Sequence, residues 1–372
     1  MASIHTGLYP SQHGANLANR RLGPNSVMLA EVLKQHGYET AAVISHLFTS
    51  RRFGFAQGFR RFNEKWIANE QSVTSERLTR AALSSYDVLR DAPRFLSVHY
   101  FDPHFSYVRH PEYGFADEYT GQLTDEVNLF QLGGFEVENP EQIPEQDVRY
   151  AREVYDEEIR HTDLWIGRLI DGIREAAGDR PVVFLVTSDH GEYFLERGRF
   201  GHGKHVYREL VHVPLILAGD HPAISPGQRV SAFVETAAIP ATLMDLAGID
   251  DHPFQGPSLL EAGNQRAGQS VVFSEGNYAW GNDSRKCAVI VEPWKLIHNF
   301  DDDSFELYHL GEDPAELVNR LDDPRASSIR ERLVALMGRF AQQEWDSTFD
   351  PIEVSDKERR RLEALGYISE GK

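Results

Sequence analysis

The feature that most restricts how this chain can fold is an alternation of two hydrophobic periods along its first two thirds. "SVMLAEVLKQHGYETAAVIS" opens with helical spacing at Val27, Leu29, Val32 and Leu33, halts at Gly37 and passes into a β-branched strand. "SERLTRAALSSYDVLRD" is a second amphipathic helix. It runs into "RFLSVHYF", the pattern of a buried strand that ends at Asp102-Pro103. The longest helical stretch, "EQDVRYAREVYDEEIRHTDLWIGRLIDGIREAAGD", carries an apolar stripe through Tyr155, Ile159, Ile166, Leu169 and Ile173, and Gly178 closes it. "PVVFLVTSDHGE" and "VHVPLILAGD" follow as strands. Apolar strands that alternate with helices are those of a sheet covered on both faces. The expected fold class is therefore α/β, with a mostly parallel or mixed central sheet and helices on both faces.

Beyond about residue 265 the pattern changes. "QSVVFSEG", "KCAVIVE", "WKLIHN" and "FELYHL" are short strands with close turns, which predicts a small C-terminal antiparallel sheet. "DPRASSIRERLVALMGRFAQQEW" supplies a helix to cover it. The chain thus divides into an α/β domain over residues 1–264 and a sheet-and-helix subdomain over 265–372, whose charged tail has an apolar patch at Leu362, Leu365 and Tyr367.

With 372 residues, 41% of them hydrophobic, the chain can bury a sizeable core. Its net charge of −19 argues against a nucleic-acid partner, since phosphate binding needs a basic face, and is compatible with cation binding. The single cysteine, Cys287, excludes an internal disulfide and a Cys-based zinc site, and its setting is that of a small hydrophobe in a strand. No apolar run approaches the ~20 residues that span a bilayer. No signal peptide is visible, and the compartment is left open.

In open α/β sheets, ligands bind beyond the carboxyl ends of the strands, and two strands here end in reactive residues. "PVVFLVTSDHGE" ends in Asp189 and His190, one hard oxygen and one imidazole for a divalent cation. The structural alternative is that Asp189 caps the next turn and His190 lies on the surface. "FLSVHYFDPHFSY" ends in His99, Asp102 and His104, and His104, in a Pro-bounded turn, is either a structural histidine or an acid or oxyanion contact at the strand end. In "FGHGKHVYRE", glycines flank His202, with Lys204, His205 and Arg208 nearby. Such a loop can wrap an oxyanion, or else form a solvated basic turn.

Taken in order, five segments resemble the sulfatase family of the alkaline-phosphatase superfamily. "ASIHTGLYPSQHG" is similar to the segment that follows the nucleophile, written C-x-P-S-R-x-x-x-x-T-G, and "GYETAAV" with "GFAQGFRRF" to the next strand and loop. "VHYFDPHFSY" resembles the His-containing strand end, and "TSDHGEYFLERGRFGHG" the metal-ligand strand and its basic loop. "WKLIHNFDDDSFELYHLGEDPAEL" resembles the small C-terminal sheet.

The resemblance implies a hydrolase of sulfuric esters that uses a divalent metal, calcium in the family, although an Asp-His pair equally accepts manganese or zinc. It implies Asp189 and His190 as metal ligands, His104 near the leaving group, and either Lys204 or His202 on the sulfate. His104 and His202 are thereby the catalytic candidates. His202 would have to be protonated to replace an ammonium, and activity would then fall above about pH 6.5. The implied partner is a small-molecule or glycan sulfate ester.

Aligned on Thr6-Gly7, Met1 falls at the Arg of the nucleophile motif. The formylglycine nucleophile, made from Cys or Ser, and a first strand with two further carboxylate ligands are therefore expected upstream of an incomplete chain. The sheet beside that strand would have an unpaired ladder. The chain departs from the family at "AVISHLF", where Ser45 falls at a Lys position and His46 is a weak substitute. Of the in-chain alternatives His5 and Thr6, Thr6 is read as making a local backbone hydrogen bond, and His13 as lining the site entrance. Two competing functions stay open: a phosphonate monoester or phosphodiester hydrolase of the same superfamily, and a non-catalytic remnant or binding protein.

Overall fold

The structure is a computed structural model that describes residues 1–16, 19–67, 73–88, 92–203, 205–262, 270–277, 285–341, 349–356 and 360. Lys204, the expected boundary at 264/265 and the apolar patch at Leu362, Leu365 and Tyr367 lie outside the described residues.

The strand Glu39–Ile44 runs through the middle of a three-stranded parallel sheet, between Arg61–Asn63 and Arg94–His99. Its Ala41, Ala42, Val43 and Ile44 are all buried, as a strand covered on both faces requires. On one face the helix Leu29–Gln35 packs Leu29, Val32 and Leu33 with Ala241, Met244 and Phe95. On the other, the helices Ser75–Asp87 and Glu145–Ala177 bring Leu78, Ala82, Leu169 and Ile173 onto Val43 and Leu96. Phe95 and Leu96 are neighbours on one strand, so their separate clusters mark the two faces of the sheet. This is the expected α/β layering.

The strand Val183–Thr187 pairs antiparallel with Leu215–Gly219 in a separate two-stranded sheet. Among the described residues, Arg94–His99 has a ladder only with Glu39–Ile44, and Val183–Thr187 only with Leu215–Gly219. The expectation that "RFLSVHYF" is a buried strand is corrected by this arrangement. Arg94–His99 is part-exposed at every residue, because a strand laddered on one edge lacks neighbours on the other.

The C-terminal strands form the expected antiparallel meander, Val272–Asn277, Arg285–Val291, Trp294–Asn299 and Ser304–His309 in sequence order. The helix Ser327–Ala341 covers it, laying Leu333, Met337 and Phe340 over Cys287, Val289, Leu296 and Leu307.

The long helix spans 33 residues, but its buried line differs from the expected stripe. Leu169 and Ile173 are buried, whereas Ile159 is 43% exposed. The line instead runs through Tyr150, Val154, Glu157, Glu158, Thr162 and Trp165. Glu157 sits inside because its carboxylate accepts backbone N–H groups of His110 (2.8 Å), Phe115 (2.9 Å) and Ala116 (3.2 Å), which organises the loop beside it.

Asp102 is likewise structural. Its carboxylate accepts from the N–H groups of Thr74 (2.9 Å) and Ser75 (2.8 Å) and from the Thr74 hydroxyl (3.0 Å). It thereby caps the helix Ser75–Asp87 from a distance, where unpaired N–H groups and the helix dipole favour a negative charge. Replacing it by Ala strands buried donors, so Asp102→Ala should cost about 2 kcal/mol in urea unfolding. A loss below about 0.5 kcal/mol, ordinary for a surface position, would show that the cap is idle.

Candidate active site

The strand Val183–Thr187 delivers Asp189 and His190 at its carboxyl end, and the turn after them is tightly held. The Ser188 hydroxyl donates to the His190 carbonyl at 2.7 Å, and the Gly191 N–H donates to the Leu210 carbonyl at 2.8 Å. A Cβ at position 191 would lie 2.1 Å from the Glu209 carbonyl oxygen, so only glycine fits. His190 Nδ1 lies 2.9 Å from the Gly191 carbonyl, to which it donates, and Nε2 stands 3.8 Å from Asp189 Oδ1. A backbone acceptor on one ring nitrogen is the usual support for an imidazole that ligates through the other. Two ligands at right angles on a hard ion, with bonds of ~2.4 Å, are ~3.4 Å apart, so the Asp189–His190 spacing suits a shared cation. The amino terminus of Met1 lies 3.8 Å from Asp189 Oδ2.

His202 joins this pair from the loop. Gly201 and Gly203 on either side of it have φ of 74° and 106°, so the backbone bends sharply around a single side chain. Its ring stacks on His190 at 3.9 Å and meets His104 edge-on at 4.9 Å. Its Nδ1 lies 3.0 Å from Glu192 Oε1, and both side chains are nearly inaccessible. His104 continues an aromatic column, stacked on Phe101 at 4.4 Å, with Phe101 stacked on His46 at 5.0 Å. His104 Nδ1 is 2.7 Å from the Phe105 carbonyl, which puts the proton of the neutral ring on Nδ1. A single cavity is lined by Met1, His46, His99, His104, Tyr155, Asp189, His190 and Glu192.

Burial sets the charge states here. It pushes His104 down to about 3, helped by the neighbouring His202, and His99 down to about 4. Burial, followed by His190, also holds His202 well below its ordinary value. Burial thus favours the neutral ring at His202, whereas its candidacy as a stand-in for an ammonium asks for the protonated one. Burial would raise the Asp189 carboxyl, but His190, the amino terminus, His99 and His202 together hold it below the usual carboxylate range. Burial pushes Glu192 up to about 7, against the opposing pull of His190 and His104.

Asp189, His190, His104 and His202, predicted from separate segments, are thus brought together. Lys204 lies outside the described residues, and Asp102 is occupied as a helix cap. Thr6 is buried, donates to the Ala2 carbonyl at 2.9 Å and accepts from the Leu8 N–H, which is the local bonding expected of it. His5 is buried edge-on to Phe55. His13 is buried too and accepts from the Ala15 N–H, so it braces a turn and does not line the entrance. Ser45 is buried and donates to the His99 carbonyl. Sequence reasoning missed Glu192 as a partner for His202, although its signal was present as the last residue of "DHGE".

A second group of potential ligands, His110, Glu112 and His161, lies apart from this cavity. Its two imidazoles stack nearly parallel, 4.1 Å apart at 13°, and His161 Nε2 accepts the Trp165 indole N–H at 3.0 Å. Lone pairs lie in the ring planes, so parallel rings cannot aim at a common ion.

The family sequence model described as Sulfatase matches residues 1–249, and one described as N-sulphoglucosamine sulphohydrolase, C-terminal, matches residues 196–343. The chain is 28% identical to a choline-sulfatase of Rhizobium meliloti over 72% of this chain and 54% of that one. It spans between a third and just over half of the length of the curated relatives it matches. A solved complex with D-glucosamine-2-N,6-O-disulfate shares the fold with a TM-score of 0.71 at 20% identity, over 92% of this chain and 87% of that one. A phosphonate monoester hydrolase of Agrobacterium radiobacter does so with a TM-score of 0.68 at 18% identity, over 96% and 88%.

The raised Glu192 carboxyl makes a stability prediction. Because the folded protein holds its proton up to about pH 7 and the unfolded chain only to about 4.5, the native state binds more protons between those values. Stability then falls as pH rises across that window. With divalent ions chelated, wild type should lose about 2–3 kcal/mol between pH 4.5 and 7 relative to Glu192→Gln, measured by urea unfolding at each pH. Parallel profiles for the two proteins would remove the raised acid.

Proposed function

The chain belongs to the sulfatase family, and from that premise we propose that it is a divalent-metal-dependent hydrolase of sulfuric esters, acting on a small-molecule or glycan sulfate ester. The observation that carries the reading is the close approach of Asp189, His190, His104 and His202, which follow strands of three different sheets.

In this reading Asp189 and His190 hold the cation, calcium by family, with manganese and zinc also compatible with one carboxylate and one imidazole. A cation bound there polarises the oxygens of the sulfuryl group. His104 lies near the leaving group. Its neutral ring has Nδ1 committed to Phe105, so it must gain a proton at Nε2 before it can hand one on. A bound anion favours that gain by opposing the desolvation that keeps the ring neutral. The neutral state of His202 makes Lys204 the better anion contact, with His202 shaping the wall through its stack on His190 and its bond to Glu192. Cys287 takes no part: it is buried in the C-terminal sheet, and burial pushes its thiol up.

Calorimetric titration with calcium or manganese should find a site that Asp189→Ala weakens at least about tenfold, the least expected on losing a first ligand. Unchanged affinity in that variant would overturn the assignment. With the cation present, an aryl sulfate should compete for the site more tightly than an aryl phosphonate monoester. The reverse order would favour the phosphonate hydrolase, whose fold is equally similar.

A further inference from the structure

Lys295 and Glu316 form an ion pair at 2.7 Å whose side chains are 1% and 2% exposed. Buried pairs add little net stability, and well-packed apolar residues often serve as well or better. What this pair does that apolar residues could not is hydrogen-bond to the loop that carries His202. Lys295 Nζ also donates to the Val206 carbonyl at 2.6 Å, and Glu316 Oε2 accepts the Arg208 N–H at 3.2 Å. These bonds grip the loop on both sides of Tyr207, whose hydroxyl donates to the Glu306 carboxylate at 2.7 Å.

Backbone strain marks the same place. Glu316 and Arg197 are non-glycine residues with φ of 55° and 56°, a left-handed conformation that L side chains adopt only under constraint. They meet: Arg197 Nη2 donates to the Glu316 carbonyl at 2.9 Å, and its guanidinium lies 3.8 Å from the centre of the Tyr207 ring. The gripped segment continues to Leu210, whose carbonyl takes the N–H of Gly191, the residue after His190.

We propose that Lys295, in the C-terminal sheet, and Glu316, in the segment that follows it, are positioning residues, which hold residues 205–210 of the loop in their working conformation. The proposal rests on the functional reading above only for what that loop contacts. Burial lowers the Lys295 ammonium from its ordinary value, and the Glu316 carboxylate opposes that.

The test uses the full chain as wild type, Lys295→Met and Lys295→Met/Glu316→Gln. The single variant leaves an unpaired buried carboxylate and should lose stability. The double variant carries no uncompensated charge and should fold with a near wild-type thermal midpoint. In the double variant, amide exchange across residues 205–210 should accelerate at least about tenfold, while strands 285–299 keep wild-type protection. Inorganic sulfate, titrated with calcium present, should bind at least about tenfold more weakly, 1.4 kcal/mol. Wild-type exchange across the loop, exchange raised equally through the sheet, or a double variant that does not fold would each assign the pair to stability and overturn the proposal. Wild type that takes up no sulfate would sink the functional reading, while the exchange measurement still decides the latch.

Discussion

The site depends on one close approach of two backbones. At Gly191 the chain leaving the strand passes so near the Glu209 carbonyl that no side chain could stand between them, and the Gly191 N–H closes the contact on Leu210. That contact joins the turn bearing Asp189 and His190 to the turn that follows the His202 loop. The relative placement of two segments more than ten residues apart is thus set by main-chain bonding, which costs little entropy once the strand is formed. Side chains then refine it, through the His190–His202 stack, the bond of His202 to Glu192 and the column of His46, Phe101 and His104.

The charge pattern follows from crowding. Several imidazoles in one desolvated space cannot all be cationic, and burial keeps His99, His104 and His202 neutral. Neutral imidazole is the form able to bind a metal, and the Asp189 carboxyl beside these rings is held below the usual carboxylate range. Glu192 is the exception: it holds a proton that an arriving cation, as the largest local charge, would tend to expel.

The alternation of helix and strand was legible because both periods are written in local apolar spacing, and the four C-terminal strands were found for the same reason. The convergence of Asp189, His190, His104 and His202 was also legible, since reactive residues beyond the carboxyl ends of strands are where ligands bind in α/β folds, although the strands before them lie in three separate sheets. What escaped was information held between distant segments. Glu157 and Glu158 occupy the buried line of the long helix, and Glu157 does so by serving backbone groups more than forty residues away. No periodicity within the helix could announce that. Asp102 looked reactive beside two histidines, but its donors lie on Thr74 and Ser75, across a stretch of chain that sequence spacing does not relate to it. The part-exposed state of Arg94–His99 depends on which strands flank it, which its own apolar residues Phe95, Leu96 and Val98 do not announce.

The bonds from Lys295 and Glu316 to Val206 and Arg208 also govern how such a fold can be taken apart and recombined. A chimaera spliced near the onset of the C-terminal sheet would pair one parent's loop backbone with another parent's anchors. One spliced ahead of Arg197 would carry loop and anchors across together, and residues 196–343 do match a family unit as one block.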